Sequence, residues 1–393
     1  MRNTIAIMNT KGGVGKSTIV LSIAETLAAY HGKNVLVIDS DAQASVSAML
    51  MSTASLRNLQ SGGRTIVDYL VGAVLRDAPA EWTDFVVGGV SDVDDAKTVY
   101  LMPSDMQLTL FEREVSKEAQ HARLRSSIGG LLSRARIVFD VVLIDCPPGL
   151  SVLTECWLRE ADFHISPTKP DYISVCGLDV FHRFRQLNPE MGFAENMGVV
   201  VNMKDRSSPA DDEYHRWLAQ NVDNRCFNAV LPRLNAIQHS ARYSDEERSF
   251  AAKYPGEIGA AIRALANEVL QRLAVANPSM QPSAPQVAPA SAPQASLPPR
   301  PAAPRPQAAA AAPAPPAPAP ALAPAPAPVA ASGRAPVAVQ QAPAPVQPAM
   351  QATPAVLQAA PPAAAAPAPP PIPAAAATTA RTDQPTDGAL KPA

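Results

Sequence analysis

The stretch that decides the fold lies near the start of the chain and is rich in glycine. It reads Lys11-Gly12-Gly13-Val14-Gly15-Lys16-Ser17-Thr18. A short apolar run precedes it at residues 5–8 and a helical pattern follows it, which is the strand–loop–helix context of a phosphate-binding loop. Glycines let the backbone turn tightly around one point, and the start of a helix adds partial positive charge. The sequence therefore predicts a loop that binds the phosphates of a nucleotide.

Three side chains of this loop have chemistry of their own. Lys16 is placed to reach the β- and γ-phosphates, the Ser17 hydroxyl to reach Mg²⁺, and Thr18 to reach a further phosphate oxygen. Lys11 departs from the general loop pattern, which begins with glycine. A second cation near the transferring phosphoryl group would offset its developing negative charge. The alternative for Lys11 is a solvated loop lysine.

Short apolar runs alternate with helical patterns along the chain. The runs are residues 5–8, 35–38, 99–102, 141–144, 163–165, 199–201 and 227–231. Helical patterns occupy residues 17–30, where Ile19, Ile23, Leu27 and Tyr30 share one face, and residues 66–75 and 258–273. Runs with few polar interruptions suit strands that are buried on both faces. Helix cores are the alternative, but glycine, proline and β-branched residues favour strands. The pattern predicts an α/β fold with a doubly wound, mostly parallel sheet.

Carboxylates stand at the ends of two of these runs. Asp39 and Asp41 follow residues 35–38, and Asp145 follows residues 141–144. The carboxyl ends of parallel strands meet at one edge of a sheet, so both should lie beside the glycine loop. An acidic residue in the position of Asp145 holds Mg²⁺ directly or through water. The alternative is that these carboxylates only cap turns or a helix start.

Taken together, these motifs resemble the ParA/MinD family of P-loop ATPases. KGGVGKST is similar to the family's deviant Walker A motif, and Asp145-Cys146-Pro147-Pro148 to its DxPP segment. Asp39-Ser40-Asp41-Ala42-Gln43 resembles DxDPQ, with Ala42 where proline is usual. The resemblance implies ATP and Mg²⁺ as ligands and an ATP-dependent homodimer in which Lys11 reaches the partner's ATP. It also implies that Asp41 positions or activates the attacking water and that Asp39 lies near the metal.

The same resemblance suggests a base-binding pair in the second half of the chain. Asn202 follows residues 199–201, and Pro232 follows residues 227–231. In the family, an asparagine and a proline region at these places contact adenine, and an asparagine side chain has the donor and acceptor for that edge. The alternative is a turn asparagine.

DNA binding is left open by the sequence. Partition members of the family carry a basic segment here, and Lys204, Arg206 and Arg233 are the candidates, with Asp211, Asp212 and Glu213 close by. The net charge is −2, and five basic against two acidic residues beyond Ala276 leave −5 on the first 276 residues. That balance disfavours bulk attraction to DNA but allows a local patch, so nonspecific DNA binding and an ordinary solvated loop both remain.

Composition divides the chain into two parts. Of 42 prolines, 32 lie from Pro278 onward, and no aromatic residue follows Tyr254. We expect one ATPase domain at residues 1–276 and a disordered Ala/Pro-rich tail at residues 277–393, which is either an inert spacer or a docking arm for another protein. The four cysteines show no ligand spacing and suit reduced thiols, and no segment reads as a signal peptide or membrane span. These features predict a cytoplasmic protein without membrane insertion.

The function that follows is a nucleotide-dependent switch. Mg-ATP binding and slow hydrolysis would interconvert monomer and dimer, and the dimer would position a plasmid, a chromosome locus or a protein assembly with the help of an activating partner protein. The tail lacks the basic amphipathic helix of membrane-bound relatives and the tyrosines of related kinases, and the cysteines lack the pattern for a bridging cluster. The alternative is an adaptor or regulator that binds ATP with negligible turnover.

Overall fold

The computed structural model describes residues 1–78 and 80–278, so the predicted tail beyond Pro278 lies outside the described residues. One mostly parallel sheet runs through this part of the chain, in the order β3-β4-β2-β5-β1-β6-β7. Its strands are β1 Thr4–Ile7, β2 Val35–Asp39, β3 Val87–Gly88, β4 Val99–Met102, β5 Val141–Asp145, β6 Phe163–Thr168 and β7 Glu195–Val201. Every neighbouring pair is parallel except β3 with β4. The predicted fold class is confirmed.

Helices cover both faces of the sheet. They are α1 Lys16–His31, α2 Ser45–Leu50, α3 Thr53–Ser61, α4 Ile66–Leu70, α5 Leu108–Val115, α6 Glu118–Val138, α7 Val152–Glu160, α8 Tyr172–Leu187, α9 Pro209–Gln220, α10 Asn235–Ser240, α11 Phe250–Lys253 and α12 Gly256–Ala276. The first and last predicted helices correspond to α1 and α12. The middle one is α4 followed by a π-helical turn at Val71–Leu75. Tyr30, near the end of α1, is 50% exposed and makes a T-shaped ring contact with Phe250, which belongs to the same core layer as Ile19 and Ile23.

The core forms two apolar layers, one on each side of the sheet. Ile19 and Ile23 of α1 belong to the layer that also contains α12, and Leu131 of α6 and Trp157 of α7 belong to the other. Successive residues of a strand point to opposite faces, so each buried strand contributes to both layers. This explains why the apolar runs have so few polar interruptions. Each large side chain buried in this way contributes roughly 1.5–3 kcal/mol.

The predicted strand at residues 227–231 is wrong. This segment lies beside β7, where Phe227 and Leu231 donate backbone N–H groups to Val199 and Val201. The N–H groups of Asn228 and Ala229 instead bind the carboxylate of Glu268 on α12, so no continuous ladder forms. The short antiparallel edge strand β3 was not predicted, since a two-residue strand that ends in Gly88 and is followed by Gly89 carries no periodicity.

Among the described residues, no helix combines the length and apolar character needed to cross a bilayer. All four cysteines are free thiols; Cys146 and Cys156 are buried, whereas Cys176 and Cys226 are partly exposed.

Candidate functional site

The segments that the sequence groups into one site meet at the carboxyl edge of the sheet. β5 lies between β2 and β1, and its last residue, Asp145, is in register with Asp39 of β2 and Ile7 of β1. A cleft of about 210 Å³ opens at this edge. It is lined by Gly12, Gly13, Gly15, Lys16, Ser17, Thr18, Asp41, Gln43, Ser45, Met49 and Pro148. The structure thus brings Asp41 to the wall of the cleft formed by the glycine loop, whereas Asp39 and Asp145 are fully buried at the strand ends.

The glycine loop leaves an open cradle. Gly13 and Gly15 have φ angles of 72° and 90°, in the region where a side chain is strained. A Cβ atom built on Gly12 or Gly13 meets nothing within 4 Å, so the space beside the loop is free for a ligand. Among the described residues no side chain caps α1, and its first turn holds no acid. The free N–H groups of that turn and the helix dipole both favour an anion.

Lys16 is the buried cation of the site. Lys16 is the first residue of α1, and it is only 7% exposed. Burial lowers the pKa of Lys16, and the nearby charges of Asp145 and Asp41 oppose that shift. A partly desolvated ammonium beside an open cradle is well suited to bind phosphate oxygens.

Asp145 has the least satisfied side chain of the site. It is fully buried, and neither carboxylate oxygen accepts a hydrogen bond within residues 1–78 and 80–278. Burial, followed by the charge of Asp39, raises the pKa of Asp145 well above its ordinary value, while the Ser17 hydroxyl and Lys16 oppose the rise. A buried carboxylate without partners is costly unless a cation compensates it. Asp145 and Ser17 therefore fit a divalent cation, for which hard oxygen ligands are preferred.

Asp39 and Asp41 occupy different environments. Asp39 accepts hydrogen bonds from the Ser47 hydroxyl and N–H at 2.6 and 2.9 Å, and burial raises its pKa to about 6. It also accepts the N–H of Asp41, so this side chain organises the turn after β2. Asp41 is partly exposed and accepts the N–H of Gln43 at 2.9 Å. The geometry makes Asp145 a better cation ligand than Asp39, and it leaves Asp41 facing the cleft.

Lys11 is not among the residues that line the cleft. Its ammonium lies 3.2 Å from Asp171 and 2.9 Å from the Ser174 hydroxyl. Asp171 is the N-cap of α8 and also accepts the N–H of Ser174. In this single chain Lys11 is therefore held by the start of α8.

The two predicted base contacts lie in different places. Asn202 is buried against the glycine loop and donates its side-chain N–H to the Val14 carbonyl at 2.7 Å. Pro232 is buried in a bridge with Lys204, next to the loop after β7. Neither residue lines the cleft. Their contact with adenine stays a prediction.

Carboxylates neutralise two of the candidate DNA contacts. Lys204 pairs with Asp212 at 2.7 Å, and Arg206 pairs with Glu257 at 2.7 Å. Arg233 is exposed and donates its backbone N–H to Lys204. The segment is thus less positive than the three basic residues alone indicate.

One polar contact at the site joins two elements that are distant in the sequence. Glu112 of α5 accepts a hydrogen bond of 2.8 Å from Ser151, the N-cap of α7 that follows the Asp145 loop. Burial raises the pKa of Glu112, and the charge of Asp41 adds to the rise. Nothing in the local sequence reveals this contact, because an amphipathic helix carries surface glutamates at many positions.

Comparisons with known proteins place the chain beside nucleotide-binding and partition proteins. Residues 2–191 match the family model described as "AAA domain". The chromosome partitioning protein ParA of Caulobacter vibrioides is 29% identical over 274 residues, which cover 68% of this chain and 94% of that protein.

Two solved structures share the fold. Cobyrinic acid a,c-diamide synthase of Mycobacterium smegmatis, with bound ATP analog and magnesium, has a TM-score of 0.54 and 22% identity, over 70% of this chain and 96% of that one. The pNOB8 ParA bound to nonspecific DNA has a TM-score of 0.51 and 23% identity, over 70% and 99%.

Proposed function

Because the chain belongs to the ParA/MinD family of P-loop ATPases, we propose that it binds Mg-ATP in the cleft beside Lys16 and hydrolyses it slowly. Nucleotide binding switches the protein from a monomer to a homodimer. The dimer positions a cargo, which is a plasmid, a chromosome locus or a protein assembly, and the partition role of the Caulobacter relative supports this part. One observation carries the proposal: an open glycine cradle lies next to a buried carboxylate, Asp145, whose two oxygens accept no hydrogen bond within the described residues.

Each group at the cleft has a defined task in binding. The N–H groups of residues 12–18 hold phosphate oxygens, and Lys16 contacts the β- and γ-phosphates. Ser17 and Asp145 hold Mg²⁺, with Asp39 behind them as part of the same acidic edge. When bound, Mg²⁺ neutralises the charge that develops on the phosphates.

Hydrolysis is assigned to Asp41. It lies on the cleft wall and is partly exposed, as a group that orients water must be. Asp41 orients the attacking water or accepts its proton while the water oxygen bonds to the γ-phosphorus and the bond to the β-phosphate oxygen breaks.

The Asp145 loop reaches α7 through Ser151, whose hydrogen bond to Glu112 ties that end of the loop to α5.

Dimerisation requires Lys11 to change partners. In the single chain it is bound by Asp171 and Ser174, so it must leave both to reach the nucleotide of the partner subunit. The exposed pair is weak, because solvent screens it, and the charge of a bound triphosphate is a stronger attraction.

Phosphate release and light scattering with and without ATP test the proposal. We expect Asp41→Ala to bind ATP, to hydrolyse it about 10²–10⁴ times more slowly and to accumulate as a dimer. Lys16→Ala is the matched control and should bind no ATP. Wild-type turnover in Asp41→Ala would refute the role of Asp41. An ATP-dependent dimer that releases no more phosphate than Lys16→Ala would instead identify a nucleotide-dependent adaptor.

A further inference from the structure

We infer that Glu112 of α5 is a positioning residue for ATP hydrolysis. Through Ser151 it fixes the far end of the loop that follows Asp145, and so it sets where that loop lies beside the phosphates. The inference deepens the proposed function and rests on it, since it concerns turnover at the same cleft.

The loop after Asp145 is short and is anchored at both ends. It comprises residues 146–151. Its first residue, Cys146, donates its backbone N–H to Ile7 of β1 at 3.2 Å, and its last residue, Ser151, is the N-cap of α7. Pro148, between the two anchors, lines the cleft. A displacement of either end therefore moves the part of the loop that faces the ligand.

The Ser151 hydroxyl joins two contacts in one group. A hydroxyl has one proton to donate and two lone pairs that accept. Ser151 donates its proton to Oε1 of Glu112 at 2.8 Å and accepts the backbone N–H of Thr154 at 3.3 Å. Without Glu112, the Thr154 hydroxyl, also 3.3 Å away, becomes the competing partner for that proton. Glu112 thus keeps the Ser151 hydroxyl in the orientation that caps α7.

Glu112 is itself held by a rigid element. Phe111 and Val115, its neighbours on α5, are buried in the apolar layer that also contains Cys146 and Leu153 of α7. Close-packed side chains resist displacement. The helix that carries Glu112 is therefore a fixed support against which the end of the loop is held.

Glu112 also lies near the residue to which we assign hydrolysis. Burial raises the pKa of Glu112, the hydrogen bond from Ser151 opposes the rise, and the charge of Asp41 adds to it. Glu112 is half-buried and is not among the residues that line the cleft. It therefore acts on the reaction through Ser151 and not by touching ATP.

The test separates turnover from binding. Glu112→Ala should lower kcat for phosphate release about ten-fold, the effect of one lost hydrogen bond to a charged group. The Kd for Mg-ATP, measured by calorimetry, should stay at the wild-type value, because binding uses the glycine loop and Lys16. Glu112→Gln keeps an oxygen that accepts from Ser151 and should restore most of the rate. Glu114→Ala removes an exposed carboxylate of α5 that pairs with Lys117, and this control should change neither quantity.

A double-mutant cycle tests whether Glu112 acts through Ser151. If the hydrogen bond between them carries the effect, Glu112→Ala combined with Ser151→Ala should be no slower than Ser151→Ala alone. Losses that multiply would show that Glu112 acts by another route and would overturn the inference.

Three further outcomes also overturn it: normal turnover in Glu112→Ala, equal losses in Glu112→Ala and Glu112→Gln, and a Kd that rises by the same factor as kcat falls. Should Glu112→Ala fail to fold, Glu112→Met keeps the length of the side chain without the carboxylate acceptor and undergoes the same measurements. A wild-type protein that releases no more phosphate than Lys16→Ala refutes the proposed function itself, whereas normal turnover in Glu112→Ala refutes only the role of Glu112.

Discussion

Lys11 shows how a single residue can have two competing partners. Its ammonium forms an ion pair with Asp171 in the single chain, and the family resemblance assigns it to the nucleotide of a partner subunit. The side chain of Asp171 is 44% exposed, so the pair is worth at most about 1 kcal/mol after solvent screening. Because the pair is this weak, we expect Lys11 to leave Asp171 when it can bind the nucleotide of a partner subunit instead.

Asp171→Asn should favour the dimer. Asparagine still caps α8, but it releases Lys11, so dimerisation with ATP should occur at about two- to five-fold lower protein concentration. Light scattering over a dilution series in the Asp41→Ala background measures the shift. Asp179→Asn, an exposed carboxylate on the same helix, is the control and should cause no shift. A weaker dimer in Asp171→Asn would mean that Asp171 itself contributes to the dimer interface.

At the scale of elements, a buried charge cluster joins α11 to α1. Lys253 donates to Glu25 of α1 and to Asp92 of the loop after β3, both at 2.6 Å, and all three side chains are fully buried. The Tyr254 hydroxyl also donates to Glu25, and Arg248 pairs with Asp92. α1 begins at the glycine loop, so this cluster anchors the helix that carries Lys16 to the C-terminal part of the domain.

Lys253→Met should strongly destabilise the domain. Removing the shared cation leaves two carboxylates buried without it, which typically costs about 3–5 kcal/mol in the free energy of unfolding. Urea denaturation followed by circular dichroism measures the loss. Lys97→Met removes an exposed pair with Glu247 and should change stability by less than about 1 kcal/mol. Equal effects of the two substitutions would contradict a special role for the cluster.

At the scale of the whole molecule, the distribution of charge determines how strongly the protein can bind DNA. The first 276 residues carry a net charge of −5, and Asp212 and Glu257 neutralise Lys204 and Arg206. A dimer has twice as many basic residues that could contact DNA phosphates. The carboxylates paired with them weaken each of these contacts. We therefore expect nonspecific DNA binding by the ATP-bound dimer to be weak and to fall steeply with salt.

Releasing the two cations should strengthen that binding. In the Asp41→Ala dimer, Asp212→Asn combined with Glu257→Gln should raise DNA affinity, and the salt dependence should steepen by about 0.9 per freed cation that contacts a phosphate. Fluorescence anisotropy with a random-sequence duplex at several salt concentrations measures both quantities. Asp77→Asn breaks a comparable pair with Arg123 on α6 and is the control. If the double variant gains no affinity, this segment does not face DNA, and a protein or membrane track becomes the better hypothesis.

The sequence by itself determined the fold class and the location of the phosphate loop. The loop is contiguous, and its glycines, Lys16 and Ser17 act through local backbone geometry, so their spacing carries the information. The carboxylates at the ends of β2 and β5 could be assigned to the same edge, because parallel strands bring their carboxyl ends together.

Tertiary structure alone decided which side chains act on that loop. The partner of Lys11 is Asp171, the support for Val14 is Asn202, and the Asp145 loop is tied to α5 through Glu112. It also decided that residues 227–231 form no strand, since Glu268 takes the N–H groups of Asn228 and Ala229. Each of these contacts joins residues that are more than 35 positions apart. Local periodicity and spacing describe neighbours along the chain and carry no signal for such pairs.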